Sequence, residues 1–369
     1  MASLEEGLGG EARYRPLGDL PPAEVAAAAR VVLLVLDGLG YNYLRARGRS
    51  HFDSHCRGPM SSVFPTTTAA AITTFMTGLA PQQHALTGWF VRFREVATVA
   101  AVLPFRPRGQ GRPLTGRTSV AQLYALPPLV QRLPVPSTMV LPENIVRSEY
   151  SATLGGAARR TGYQGLERFI EAVVAAVQDA PRQYVYAYWP DFDRTAHEHG
   201  VHSVETARHF RLLDAAFEDL VERLRGTGTL LVVTADHGFV DSPPPRVVRL
   251  ADHAGLAELL RAPLCGEPRV AYCYVKRGCR AEFERYIEAH LAHACTLYPS
   301  AEVVRRGWFG PGIAHARLQE RVGDYLLLMK DDYIIKDFVP GERPFYPIGN
   351  HGGLSEDELY VPLIVVPPA

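Results

Sequence analysis

Seven side chains that could bind metal ions or attack a phosphate ester are spread along this chain. They are three aspartates, three histidines and one threonine: Asp37, Thr68, Asp193, His197, Asp236, His237 and His351. Carboxylate oxygens and imidazole nitrogens together suit zinc best, although manganese and iron accept the same ligand types. Two divalent ions about 3.5–4 Å apart can hold the attacking and leaving oxygens during a displacement at phosphorus. The set therefore indicates a two-metal phosphate-ester site.

Most of these side chains lie next to apolar runs that have the character of buried strands. Asp37 ends the run VVLLVLDG, and the pair at 236–237 ends LLVVTADHG. The run YVYAYWP precedes Asp193, and YVPLIVV follows His351. The carboxyl ends of parallel strands meet at one edge of an open α/β sheet, and ligands bind there. We therefore expect four chain segments to converge at one edge.

Amphipathic helices are predicted between these strands. Apolar residues recur at helical spacing over 166–177 and again over 210–224, each stretch leading into a strand-like run. A further helix is predicted from Thr68 to Met76. This alternation is typical of a parallel sheet with helices on both faces. The predicted fold class is α/β, with a mainly parallel central sheet, helices on both faces and a small cap insertion.

Length and composition favour one catalytic domain. The 369 residues, 47% of them apolar, can bury a large core. We predict a single domain over 1–369, with a proline- and glycine-rich insertion at about 89–136 and a cap subdomain at about 242–347. The cap contains the strand-like runs VAYCYV and DYLLLM around a helix near 281–294. Four arginines of the first insertion are expected in a solvated loop, or else against the far side of the substrate: Arg106, Arg108, Arg112 and Arg117.

Charge and targeting signals give no indication of a polymeric or membrane partner. The 39 basic and 39 acidic residues balance, which does not favour nucleic acid or an anionic membrane surface. The start MASLEEGLGG lacks the basic and apolar parts of a signal peptide, and no run approaches the roughly 18 apolar residues of a membrane span. We expect a cytoplasmic protein with a small-molecule substrate, and the oligomeric state stays open.

A threonine-rich segment and four short motifs follow one another in a recognisable order. The segment PTTTAAAITTFMTG, residues 65–78, has a nucleophile turn, a helix and a closing Thr-Gly. The motifs DGLG, DRTAHEHG, ADHG and NHGG contain the aspartates and histidines. Together they resemble the nucleotide pyrophosphatase/phosphodiesterase (type I phosphodiesterase) branch of the alkaline phosphatase superfamily. The resemblance covers the core from about Val31 to Val366 and implies an alkaline phosphatase-like fold.

The resemblance also implies a role for each of these residues. Thr68 would be the nucleophile, forming a phosphothreonine that water then hydrolyses. Two divalent ions per chain, expected to be zinc, would be held by Asp193, His197 and His351 at one site and by Asp37, Asp236, His237 and Thr68 at the other. A bound metal lowers the pKa of a hydroxyl nucleophile, and the start of a helix favours an anion.

The implied activity is hydrolysis of phosphate esters, with diesters preferred over monoesters. Nucleotide-hydrolysing relatives have a stacking phenylalanine and a phosphoryl-binding asparagine where this chain has Ala69 and Ala71. Losing a stacking ring costs roughly 1–3 kcal/mol per base, so nucleotide specificity is in question. Candidate replacements are the rings of Trp89, Phe90, Tyr41 and Trp308 and the amides of Asn42 and Asn350.

Several alternatives use the same residues differently. A phosphomonoesterase or a phosphonate-ester hydrolase would use the same two-metal centre. A non-catalytic, metal-bound binding protein is the alternative from another class, and it would have no use for Thr68. The sequence after Asp37 also resembles the start of a dinucleotide-binding loop, but Tyr43 occupies the position of the third glycine.

Overall fold

The computed structural model describes residues 1–368, whose centre is a seven-stranded sheet. Its strands lie in the order Cys56–Ser61, Tyr360–Val366, Thr229–Thr234, Arg30–Leu36, Gln183–Trp189, Ser137–Pro142 and Arg159–Tyr163. The last five strands are parallel to one another. The strand Tyr360–Val366 is antiparallel to both of its neighbours. The sheet is therefore mainly parallel, as predicted.

The central strands are apolar along their whole length because both faces of the sheet are covered. In the strand Arg30–Leu36, Val31 and Leu33 pack into one core, while Val32 and Leu34 pack into the other. This alternation follows from the two-residue period of a strand. The cores on the two faces confirm the predicted α/β class.

Helices cover both faces of this sheet. The helix Thr68–Thr77 packs on one face, and the helices Gly165–Val177 and Val204–Leu224 pack on the other. The remaining α-helices of the described residues are Ala2–Gly7, Pro22–Ala27, Tyr41–Ala46, His51–Ser54, Pro81–His84, Val120–Tyr124, Glu149–Gly155, Asp191–His199, Ala254–Leu259, Arg280–His290, Ser300–Arg305, Leu318–Arg321 and Glu356–Leu359. Short 3₁₀ helices occur at Arg94–Val96, Leu129–Arg132, Pro244–Arg246 and Leu250–Asp252.

A second seven-stranded sheet, antiparallel throughout, combines strands from both predicted insertions. Its strand order is Cys295–Pro299, Tyr325–Met329, Val270–Cys273, Cys265–Gly266, Phe90–Phe93, Thr98–Ala101 and Arg106–Pro107. Two further strand pairs join Val240–Asp241 to Gly349–Asn350 and Val247–Arg249 to Ile334–Lys336. The segment 89–136, which shows no clear period in the sequence, thus contributes an edge of this sheet. The division into one domain with a cap stays a prediction.

A buried ion pair connects the second sheet to the chain segment that contains His351. Nε and Nη2 of Arg269 donate to the two carboxylate oxygens of Glu358 at 3.0 and 2.8 Å, and both side chains are almost fully buried. The same carboxylate accepts a hydrogen bond from the backbone N–H of Gly353 at 2.7 Å. The pair therefore fixes the loop after His351 against the second sheet.

Removing the carboxylate of Glu358 is expected to destabilise the protein strongly. Glu358→Ala leaves the Arg269 guanidinium buried without its anion, which costs about 3–5 kcal/mol. The free energy of unfolding, measured by urea denaturation, tests this. Glu356→Ala is the matched control, because Glu356 is exposed on the same short helix. Equal losses in the two variants would contradict the expectation.

No helix in the described part of the chain is both long enough and apolar enough to cross a membrane. The cytoplasmic location expected from the sequence stays a prediction.

Candidate active site

The structure brings all seven predicted side chains together at the carboxyl edge of the central sheet. Asp37 directly follows the strand Arg30–Leu36, which lies between the two strands that lead to the other aspartates. One of these strands ends just before 236–237, and the other leads into the helix Asp191–His199. His351 follows a two-residue strand, and Thr68 begins its helix. Neighbouring parallel strands thus deliver residues that lie far apart in the sequence.

His237 lies at the centre of this group. Its Nε2 is 3.3 Å from Oδ1 of Asp37, 3.4 Å from Oδ2 of Asp236 and 3.9 Å from Oδ1 of Asp193. The same nitrogen is 3.1 Å from the hydroxyl oxygen of Thr68. One imidazole therefore contacts the predicted nucleophile and all three carboxylates.

Two groups of potential ligand atoms overlap at this histidine. Asp37, Asp236 and His237 form one group, and Asp193, His237 and His351 form the other. Oδ1 of Asp193 lies 3.4 Å from Nε2 of His197 and 3.8 Å from Nε2 of His351. The ring of His351 also stacks on that of His237, with 3.6 Å between ring centres. The first group matches one of the two predicted ligand sets. The assignment of His197 rather than His237 to the second set stays a prediction.

Backbone carbonyl groups orient all three histidines in the same way. Each Nδ1 lies against a carbonyl oxygen: His197 at 2.8 Å from Gly349, His237 at 3.1 Å from Gly238, and His351 at 3.1 Å from Thr66. A carbonyl oxygen only accepts, so Nδ1 carries the hydrogen and Nε2 keeps its lone pair. Metal-binding histidines are oriented in this way, with the free nitrogen towards the ion.

The three aspartates each present one buried oxygen that has no hydrogen-bond donor within the described residues. These are Oδ1 of Asp37, Oδ1 of Asp193 and Oδ2 of Asp236. The other oxygens of two of them are satisfied, since Tyr188 donates its hydroxyl to Asp37 and the N–H of Gly38 donates to Asp236 at 3.0 Å. A buried, unpaired carboxylate oxygen is costly. Divalent cations between these oxygens and the Nε2 atoms would fit this donor set.

Burial shifts the pKa values of two aspartates and two histidines of this group. Burial, followed by repulsion from Asp236 and Asp193, raises the pKa of Asp37 well above its ordinary value. Burial also raises the pKa of Asp193 to about 7. It lowers the pKa of His197 to about 4 and moves the pKa of His351 well below its ordinary value. His197 and His351 are thus held in the form that binds metals, and cations would stabilise the carboxylates of Asp37 and Asp193.

The turn before the helix Thr68–Thr77 is held by side chains that the sequence did not single out. The Thr67 hydroxyl donates to buried Glu267, and Oε1 of Glu267 also accepts from the backbone N–H of Trp89 at 2.6 Å. The Thr66 hydroxyl donates to a backbone carbonyl of the loop after His351 at 2.9 Å. Glu267 had no motif to identify it, because the glutamate lies in a short strand connection of the second sheet.

Phe239 is a second positioning residue that the sequence reasoning missed. Its ring makes edge contacts with the rings of His197, His237 and His351, with 5.1–5.4 Å between ring centres. Gly38 allows this packing, because it has φ +80° and a Cβ there would lie 2.4 Å from the Phe239 ring. The aromatic residue directly after the ADHG motif was the available signal.

A cleft of about 500 Å³ opens beside Thr68 and the metal-ligand candidates. Among the ring candidates, Trp89 and Phe90 line the cleft, whereas Tyr41 and Trp308 lie elsewhere. Two further lining rings were not anticipated, Phe338 and Phe345. The buried Ala69 and Ala71 do not line the cleft. Of the two candidate amides, Asn42 does not line the cleft either, whereas Asn350 does. The side-chain amide group of Asn350 donates to the backbone carbonyls of Pro347 and Ile348.

Comparison with known proteins identifies the family of this chain. The family model of type I phosphodiesterase/nucleotide pyrophosphatase matches residues 31–353. The chain belongs to this family. Its members are phosphoester-cleaving, metal-dependent enzymes, so the resemblance and the enzyme class predicted from the motifs are confirmed.

Solved structures share the fold of this phosphodiesterase-family protein at low sequence identity. Murine ectonucleotide pyrophosphatase/phosphodiesterase 5 matches with a TM-score of 0.69 and 18% identity, over 92% of this chain and 88% of that chain. Phosphonoacetate hydrolase from Sinorhizobium meliloti 1021, in complex with phosphonoformate, matches with a TM-score of 0.63 and 18% identity, over 92% and 91% of the two chains. A search of curated proteins found no match.

The cationic side chains around the cleft of this phosphodiesterase-family protein differ in whether they form salt bridges. Arg108 is buried, which overturns the expectation of a solvated loop for this arginine. Its guanidinium donates to Asp337 at 2.6 Å and to Glu342 at 2.9 Å, so it is fully engaged within the protein. Lys336 and Arg343 also line the cleft, and within residues 1–368 neither forms a salt bridge.

Proposed function

We propose that this protein hydrolyses phosphodiesters, with Thr68 as the nucleophile and with two divalent metal ions, expected to be zinc. The ligands would be Asp37, Asp193, His197, Asp236, His237 and His351. The observation that carries the proposal is the convergence of three unpartnered carboxylate oxygens and the Nε2 atoms of the histidines next to the Thr68 hydroxyl. A purely structural cluster would not leave buried anionic oxygens without donors.

The residues of the chain would divide the reaction into two displacements. The Thr68 oxygen forms a bond to phosphorus while the bond to the leaving alcohol breaks. Water then hydrolyses the phosphothreonine and restores the hydroxyl group. The first-turn amides of the helix Thr68–Thr77 have no helical acceptor and are available to the phosphoryl oxygens. Divalent ions, when bound, neutralise the charge that develops on the attacking, leaving and phosphoryl oxygens.

Two structural neighbours support this proposal by the ligands that they contain. The murine protein has been solved as an inactive threonine-to-alanine variant in complex with AMP. The phosphonoacetate hydrolase has been solved with phosphonoacetate. Both ligands contain a phosphorus-centred anion, which is the group that we place beside Thr68.

A preference for diesters is expected from the shape of the cleft. Its volume of about 500 Å³ exceeds the need of one phosphoryl group, and rings such as Trp89 and Phe345 offer apolar surface to a second ester group. We therefore expect a higher kcat/KM for an aryl methyl phosphodiester than for the matching aryl phosphomonoester. Adding a nucleoside should improve kcat/KM by less than about tenfold, or roughly 1.4 kcal/mol, because Ala69 provides no stacking ring.

A hydrolysis panel of aryl diesters, monoesters, phosphonates and sulfates at defined zinc concentration tests this preference. A higher kcat/KM for the monoester or for the phosphonate would assign the protein to the corresponding alternative hydrolase. A nucleoside advantage well above tenfold would mean that Trp89 or another lining ring replaces the missing stack. Bound metal without turnover of any substrate would favour the non-catalytic alternative.

A further inference from the structure

Lys336 is an unpaired cation on the wall of the cleft. It ends the strand Ile334–Lys336 and lines the same cleft as Thr68 and Asp193. Within residues 1–368 its ammonium group forms neither a salt bridge nor a hydrogen bond. Lys336 therefore lines the space that a substrate would fill.

The neighbouring charges do not satisfy this ammonium. Asp337 and Glu342 are engaged by Arg108, each through a direct salt bridge. Oε1 of Glu267 accepts from the Thr67 hydroxyl and from a backbone N–H, and Glu267 forms no salt bridge with Lys336. Asp337 and Glu342 thus have other donors, and the ammonium group of Lys336 keeps its capacity to donate three hydrogen bonds.

Apolar walls make this cation an effective anion receptor. The ammonium nitrogen is 5.9 Å from the ring centre of Phe338, and Trp89 and Phe345 line the same cleft. Burial lowers the pKa of Lys336, which means that its charge is incompletely solvated. A charge with few water contacts interacts more strongly with an opposite charge than the same charge on an open surface does.

We propose that Lys336 binds a second anionic group of the substrate, a carboxylate or a phosphate, on one of the two ester groups of the phosphodiester. This inference rests on the proposed function and narrows its substrate class. The favoured substrates are phosphodiesters that carry a further negative charge within reach of the cleft, next to an apolar or flat portion that contacts the aromatic wall. Lys336 is thus a specificity-determining residue.

Matched pairs of synthetic diesters test this assignment. The parent substrate is methyl 4-nitrophenyl phosphate. In the first pair, its methyl ester is replaced by a 2-carboxyethyl ester or by the neutral isostere of that group, a 2-carbamoylethyl ester. In the second pair, the ester stays methyl and the leaving group is 3-carboxy- or 3-carbamoyl-4-nitrophenol. A 2-(phosphonooxy)ethyl ester distinguishes phosphate from carboxylate. Each probe is assayed for kcat/KM with the zinc-loaded full chain.

The quantity to compare is the ratio of kcat/KM between the anionic probe and its neutral isostere. With the native protein this ratio should be roughly tenfold or more in at least one pair, as expected for a charge-assisted hydrogen bond. Lys336→Met should reduce the ratio towards one, and Lys336→Arg should retain most of it. Lys330→Met is the matched control, because Lys330 is exposed outside the cleft and its removal should leave the ratio unchanged.

Each other outcome overturns the inference or separates it from the proposed function. Turnover of all probes without preference for the anionic members overturns it, as does a preference that Lys336→Met retains. An equal loss on anionic and neutral probes would place Lys336 at the phosphoryl group instead, which also overturns it. A native protein that turns over no diester contradicts the proposed function itself. Thermal unfolding of Lys336→Met is measured alongside to show that the variant is folded.

Discussion

Thr68→Ala should reduce kcat/KM for an aryl phosphodiester by at least about a thousandfold, the scale seen when an enzyme loses its nucleophile. Thr68 begins the helix Thr68–Thr77, and its hydroxyl lies 3.1 Å from Nε2 of His237. Alanine at this position has no oxygen that could form a bond to phosphorus. Thr68→Ser keeps a hydroxyl and should keep a measurable fraction of the activity. Both variants should still bind two metal ions, because the six main ligands remain.

Thr74→Ala is the matched control for this prediction. Thr74 lies on the same helix, and its hydroxyl only contacts the Ala70 carbonyl and His84. Its removal should leave kcat/KM within a few-fold of the native value, as expected for a helix residue away from the site. If Thr68→Ala were as active as Thr74→Ala, water would have to attack the phosphodiester directly.

Loss of a single metal ligand is expected to abolish turnover and to remove one bound ion. Asp236→Ala should empty the site that also contains Asp37, whereas Asp193→Ala or His351→Ala should empty the other. One remaining ion cannot stabilise both the attacking and the leaving oxygen. After reconstitution with zinc, metal analysis should give two ions per chain for the native protein and one for each variant.

His199→Ala provides the control for the ligand variants. His199 is exposed at the end of the helix that also contains Asp193 and His197, and it belongs to neither group of potential ligand atoms. This variant should keep two ions and its activity. Treatment of the native protein with a chelator should abolish activity, and zinc should restore it. A native protein that binds no metal after reconstitution would contradict the two-metal account.

The central sheet and the convergence of the site were predictable because they depend on local signals. The apolar run before Asp37 is long enough to identify a buried strand, and the strand extends over Arg30–Leu36. The apolar residues of 166–177 and 210–224 show helical spacing, and they lie in the helices Gly165–Val177 and Val204–Leu224. Once such strands are parallel, the residues after them must meet at one edge.

The second sheet could not be predicted, because its pairing is distant in sequence and its strands are short. Phe90 pairs with Gly266 across the two insertions. The strand Phe90–Phe93 has four residues, too few for a clear alternation of apolar and polar positions. Neither insertion alone contains the information that the two form one sheet.

The residues that support the site were missed for a related reason. Glu267 and Phe239 act through contacts with Thr67 and with the histidine rings, and such contacts leave no spacing pattern in the sequence. Lys336 looked like one of three scattered lysines in an arginine-rich chain. Its position on the cleft wall depends on the pairing of Ile334–Lys336 with Val247–Arg249, which only the folded chain reveals.

The stereochemical course at phosphorus tests the central claim most directly. The substrate is a phosphodiester in which a sulfur atom and an oxygen isotope make phosphorus chiral. The zinc-loaded protein hydrolyses it, and NMR determines the configuration of the product. Attack by Thr68 followed by attack of water inverts phosphorus twice, so the account predicts net retention of configuration. Net inversion would show a single displacement by water and would contradict a phosphothreonine at Thr68.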